Sequence, residues 1–162
     1  MPREQPIELF MPPNMLKAKL GGGGGTPGLD LAAIKRAEAA MEELRGEFAA
    51  WAAADVENLM AARARFAKTP DAASRAGLLR AAHDMKGQAG TFDYPMIARV
   101  AGSLSKLVGE LPEKRDLPLG LVDAHVSAIH VIYRDKVMDA SNKMAVALSS
   151  ELETQVEALL KS

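Results

Sequence analysis

An all-α fold, an antiparallel four-helix-bundle core with additional flanking helices, is what this sequence predicts, and three observations predict it. From Leu31 onward apolar residues recur at steps of three and four, the spacing that lines one face of an α-helix. The apolar fraction is 48%, yet the chain has only four Phe, two Tyr and one Trp, so its core must be assembled from Leu, Ile, Val, Met and Ala at helical spacing. No segment calls for a strand, and there is no internal repeat. A chain of 162 residues is long enough for one domain with a sizeable core and too short for two of ordinary size.

Residues 1–28 are expected to stand apart as a flexible N-terminal segment. They carry much of the proline and glycine, including the run Gly21 to Gly25, which reads as a tether. Ile7, Leu9, Phe10, Met11, Met15 and Leu16 precede the run, an apolar load that fits a docking segment as well as a disordered tail. Residues 29–162 are expected to form the helix-bundle domain. Asp30 is placed to cap the first helix, whose stripe is Ile34, Ala37, Met41, Leu44, Phe48 and Trp51. Around Ala52 to Asp55 the stripe slips and resumes as Val56, Leu59, Ala62 and Phe66, which predicts a second helix or a kink. Pro70 and Asp71 are suited to start the next helix. It runs to about Phe92, and Asp93-Tyr94-Pro95 makes the turn, because the residue before proline is pushed out of helical geometry. The stripe Ile97, Val100, Leu104, Leu107 and Leu111 marks an antiparallel neighbour. A loop with Pro112 and Pro118 leads to Leu121, Val122, His125, Ile129 and Ile132. The last stripe is Met144, Leu148, Leu152, Val156 and Leu159.

Charge and composition narrow the function. With 20 basic and 21 acidic residues and a net charge of −1, there is no electrostatic footprint for nucleic acid or an anionic membrane. The absence of cysteine excludes disulfides and thiolate metal sites. No apolar run reaches the length of a membrane span, and a cytoplasmic location is expected. The glycine run has no Gly-Lys-Ser/Thr after it and is not a phosphate-binding loop. His125 and His130 are five apart, about 140° around a helix, and neither has an acidic residue at three or four; polar packing accounts for them better than a metal.

Within Leu78 to Tyr94, LLRAAHDMKGQAGTFDY, one histidine is set apart. At about 100° per residue, Leu78, Ala82, Met85, Ala89 and Phe92 form one apolar stripe, and its centre lies roughly 140° from His83. Leu79, Arg80, Lys86, Gly87 and Gly90 all fall within about 60° of His83. His83 therefore faces solvent. Each glycine costs of order 1 kcal/mol against alanine in a helix; together they leave the imidazole uncovered and let another protein's surface approach. Gly102, near the same level of the next helix, leaves room again. Lys86 brings a cation within reach of a negative group on the ring.

His83, Lys86, Gly87, Ala89 and Phe92 resemble the motif of the histidine-containing phosphotransfer (HPt) domain, and HDMKGQAGTFDYP looks like its stand-alone alphaproteobacterial version. Asp93 departs from the pattern, standing where the family usually has glycine; Asp also tolerates left-handed conformations. The resemblance implies that His83 is the phosphorylated residue and that Lys86 stabilises the phosphoryl oxygens. Leu79, Arg80, Gly87 and Gly90 would then contact the partner. It implies a monomer that relays phosphoryl groups between receiver-domain aspartates of response regulators and a hybrid histidine kinase. The chain would need no cofactor of its own, with Mg²⁺ expected on the receiver. It would be an intermediate and not a kinase, having no nucleotide-binding loop or acidic cluster. An adaptor bundle that binds partners without phosphotransfer explains the stripes but not the glycines on the histidine's face. A kinase dimerisation domain also carries its histidine on a helix, but it needs a nucleotide-binding domain after it, and the residues after His83 read as further bundle helices.

Overall fold

The computed structural model describes residues 30–162, so the apolar tail and the glycine run lie outside the described residues. Among the described residues five α-helices follow one another: α1 Leu31–Lys68, α2 Ala72–Thr91, α3 Pro95–Glu110, α4 Leu119–Arg134 and α5 Lys143–Lys161. There is no strand among the described residues. The chain is all-α, as its periodicity requires.

Local chemistry sets the helix starts. Asp30 Oδ1 accepts from the Ala32 amide at 3.1 Å. At α2 a reciprocal capping box forms: Asp71 Oδ1 accepts from the Ser74 amide at 2.8 Å, and the Asp71 amide donates to Ser74 Oγ at 3.1 Å. Asn142 Oδ1 accepts from the Ala145 amide at 3.0 Å to open α5. In α3 the first position is Pro95, whose missing N–H would have had no helical partner anyway.

The chain divides into a unit ending at Gly46 and a unit Glu47–Ser162. In the first, the early turns of α1 leave Leu31, Met41 and Leu44 exposed, and Arg45 pairs with Glu42 at 2.8 Å. α1 is one helix through Ala52–Asp55, against the expected second helix or kink. Three consecutive alanines are the best helix formers available, and neither Gly nor Pro interrupts them. The slip in the stripe marks a change of face instead. Ala52, Val56, Leu59, Ala62 and Phe66 are buried, while Trp51, on the earlier stripe, is 51% exposed.

In the unit Glu47–Ser162, α3 is the central helix, packed against α2, α4 and α5. It buries half of its residues, among them Ile97, Val100, Leu104 and Leu107. The α2 stripe is buried as its spacing predicts: Leu78, Ala82, Met85, Ala89 and, past the helix end, Phe92. Contacts between α1 and α4 close a ring of four helices, with Arg63 gripping Asp123 through two hydrogen bonds at 2.5 and 2.9 Å. α5 flanks the ring and runs parallel to α3, since Arg99 pairs with Glu153 and Lys106 with Glu157.

The phase of α5 differs from expectation. Met144 is 80% exposed and Leu148 lies at the surface, whereas Ala145 and Ser149 are buried in line with Leu152 and Val156. Successive steps of four residues rotate about 40° each around a helix, so two of them carry Met144 about 80° off the face of Leu152. Ser149 is accommodated by donating its hydroxyl to the Ala145 carbonyl at 2.7 Å.

His125 is fully buried on α4. Its Nδ1 lies 2.7 Å from the Leu121 carbonyl and must carry the proton there, so Nε2 accepts from Ser103 Oγ at 2.9 Å. Burial pulls its pKa below the usual histidine value. His125 is thus a neutral, satisfied core residue, and His130 is exposed.

Candidate functional site

The second half of α2 carries the candidate site, and the helix end that supports it is built from a residue the family pattern does not favour. Asp93 adopts φ 60, in the left-handed region. The amide of Tyr94, one residue on, then donates back to the Ala89 carbonyl at 2.9 Å, which is the six-to-one bond of a Schellman ending. Phe92 and Tyr94 on either side are buried, so the turn is anchored in the core. Pro95 starts α3 at once, and the short hairpin lays α3 antiparallel to α2.

His83 is exposed and makes no hydrogen bond among the described residues. Lys86, Gly87, Gly90 and Arg80 are exposed on the same face of α2, and Leu79 is half-buried. A Cβ at Gly87 or at Gly90 would meet nothing within 4 Å. Internal packing therefore gives no reason for either glycine; Gly77, lower on α2, is open in the same way.

The flank of the site towards α3 is a close seam. A Cβ on Gly102 would lie 3.5 Å from Lys86 Cδ and 3.6 Å from Cε. One on Gly109 would lie 3.4 Å from Leu79 Cδ1. The two glycines are seven residues apart on α3, and the two side chains they receive are seven apart on α2. That matched spacing is legible in the sequence, but only Gly102 stands out there; Gly109 does not.

Towards α1 the surface opens into a groove lined by Asn58, Arg65 and Lys68 of α1 and by Gly77, Arg80 and Asp84 of α2. Deeper on this flank, Asp55 Oδ2 is buried without a hydrogen-bond partner. Burial raises the Asp55 carboxyl above its ordinary value, and the negative charge of Asp84 adds to the rise. Neither acid is marked by the sequence as part of the site, because pairing across α1 and α2 depends on a register that periodicity does not encode.

Below the site, Arg75 donates to the carbonyls of Val108, Leu111 and Arg115. It satisfies the open carbonyls where α3 ends and ties that end to α2. No group of three or more His, Asp or Glu among the described residues could hold a metal ion. No helix among them is long and apolar enough to cross a membrane.

The arrangement offers an uncovered imidazole, a cation on the same face and open space where two glycines stand. A search of curated proteins and of solved structures finds no match to this chain. A family model does match, the Hpt domain, over residues 43–161. That span includes the whole of α2 to α4, the capped hairpin and His83 with its flanking glycines, and the chain belongs to the Hpt domain family.

Proposed function

We propose that this chain relays phosphoryl groups between receiver-domain aspartates of response regulators and a hybrid histidine kinase, with His83 as the residue phosphorylated. Hpt domains serve phosphotransfer in phosphorelays; the choice of His83 and of its helpers is our reading. The observation that carries it is the pairing of an exposed imidazole, without a hydrogen-bond partner among the described residues, with glycines on its own face where a Cβ would meet nothing.

The chemistry follows from what the face offers. Imidazole is largely neutral near pH 7 and has a lone pair to give. A ring nitrogen of His83 attacks phosphorus of an aspartyl phosphate; the N–P bond forms as the P–O bond breaks, and the aspartate leaves as a carboxylate. Onward transfer is the reverse, with the carboxylate of a second receiver attacking and the N–P bond breaking. Lys86 offers its charge to the phosphoryl oxygens, worth ~1 kcal/mol at an exposed position. Gly87 and Gly90 let the receiver's active site close over the ring, and Leu79 and Arg80 flank it as partner contacts. Mg²⁺ is expected to belong to the receiver and to neutralise charge there. The chain itself acts as an intermediate, with no kinase reaction of its own. The same reading places it in the cytoplasm, as a monomer, with residues 29–162 as the working domain.

Incubation with a panel of phosphorylated receiver domains tests this. Acid-labile, base-stable phosphate on the chain is the expected result. If no receiver in a broad panel transfers, an adaptor bundle becomes the better reading.

A further inference from the structure

We infer that Gly102 is a positioning residue for Lys86, keeping the lysine stem laid along α3 so that its ammonium is presented on the face of His83; this rests on the reading of His83 as the phosphorylated residue. Glycine is the poorest helix former after proline, and Gly102 stands in the middle of α3. The three atoms nearest to a Cβ built there are Cδ, Cε and Cγ of Lys86, at 3.5, 3.6 and 3.9 Å. What occupies the space a larger side chain would take is therefore the lysine stem.

Lys86 makes no ion pair or hydrogen bond among the described residues. The packing of its methylenes against Gly102 is thus what orders it. A lysine side chain loses much rotamer freedom when it is fixed, and ordering it before the phosphoryl group arrives removes part of that cost from the step itself. An alanine at 102 would place its Cβ in ordinary contact with the stem. A leucine would extend into the stem's own space and turn the lysine away.

The test uses the full chain with His130→Gln, so that His83 is the one exposed histidine, phosphorylated by phosphoramidate. This small donor transfers its phosphoryl group to the ring nitrogen as its own P–N bond breaks and ammonia leaves, so no receiver has to dock. The second ionisation of the phosphohistidine is then followed by ³¹P NMR titration. A nearby ammonium favours the dianion, so Lys86→Ala should raise that pKa by about half a unit, the size of an exposed ion pair. Gly102→Leu should raise it equally, Gly102→Ala should leave it unchanged, and Gly102→Leu added to Lys86→Ala should raise it no further. In the unsubstituted protein, NOEs should join the Lys86 methylene protons to Gly102 Hα, a readout that does not depend on any variant folding. A wild-type titration for Gly102→Leu, an additional shift in the double variant, or absence of those NOEs would overturn the inference alone. Failure of His83 to accept phosphate from phosphoramidate and from every receiver would remove the reading beneath it as well.

Discussion

Lys86 and Gly87 are neighbours in sequence, on the same face as His83, with different jobs, and each can be removed separately. Lys86→Ala takes away a charge from a side chain that forms no ion pair among the described residues, so transfer should slow while stability stays within about 0.5 kcal/mol. Gly87→Leu adds bulk where a Cβ meets nothing. It should hold or raise the melting temperature, leucine being the better helix former, yet weaken receiver binding in a calorimetric titration. Leucine at 87 with unchanged affinity would show that the glycine is not there for access. At this scale the sequence was a good guide where a side chain's direction follows from rotation about one helix. All five apolar positions of the α2 stripe are buried and His83 is exposed. It was a poor guide where two helices meet. Nothing in the local pattern says that Asp55 lies near Asp84, or that Gly109 receives Leu79.

Among the elements, the α2–α3 hairpin holds the candidate site at its height, and its geometry depends on Asp93 at φ 60. The departure from glycine was legible as a residue able to adopt this conformation, and the structure shows it doing so. Asp93→Gly should leave stability equal or slightly higher, because glycine enters the left-handed region without steric cost. Asp93→Val should lower it by about 1–2 kcal/mol, which urea unfolding would register. Loss of stability on Asp93→Gly would mean that the aspartate side chain contributes something beyond tolerance of the turn. Elsewhere the elements show where reading apolar steps fails. Two steps of four carry Met144 and Leu148 out of phase with the buried face of α5 despite their size, and the small Ala145 and Ser149 keep the phase. In α1 the slipped stripe suggests a second helix or a kink, yet Ala52-Ala53-Ala54 supplies strong helix formers and no breaker, and the helix continues.

At the scale of the whole molecule, the fully buried His125 links the core to pH. His125 is neutral and hydrogen-bonded to Ser103 and Leu121, with its pKa lowered by burial. The unfolded chain, with histidine near 6.5, takes up the proton first, so the unfolded state binds more protons below that value and stability falls with pH there. The contribution is complete above about 6.5 and is lost as pH drops towards the folded value. The carboxylates of Asp123, Glu153 and Glu157 are held below their usual range by Arg63, Arg99 and Lys106, and their contributions persist until more acidic pH, below about 4. The urea midpoint should therefore be higher at pH 7.5 than at 5.5, and His125→Gln should flatten that difference while lowering both midpoints. An undiminished difference in the variant would assign the effect to another group. Domain extent belongs to this scale too. We take the working domain to begin at residue 29, so deleting residues 1–28 should preserve the helical circular-dichroism signal of the remainder and its phosphorylation by at least one receiver; loss of folding would move the boundary to residue 1.

On the reading we propose, His83 carries the phosphoryl group from a position that the fold does not depend on. The direct measurement is transfer from a phosphorylated receiver to the unsubstituted chain and to His83→Gln, with melting curves of both. Acid-labile phosphate is expected on the first and none on the second, with melting temperatures that coincide within a few degrees. Phosphate on the His83→Gln chain would place the chemistry on another residue and contradict this reading.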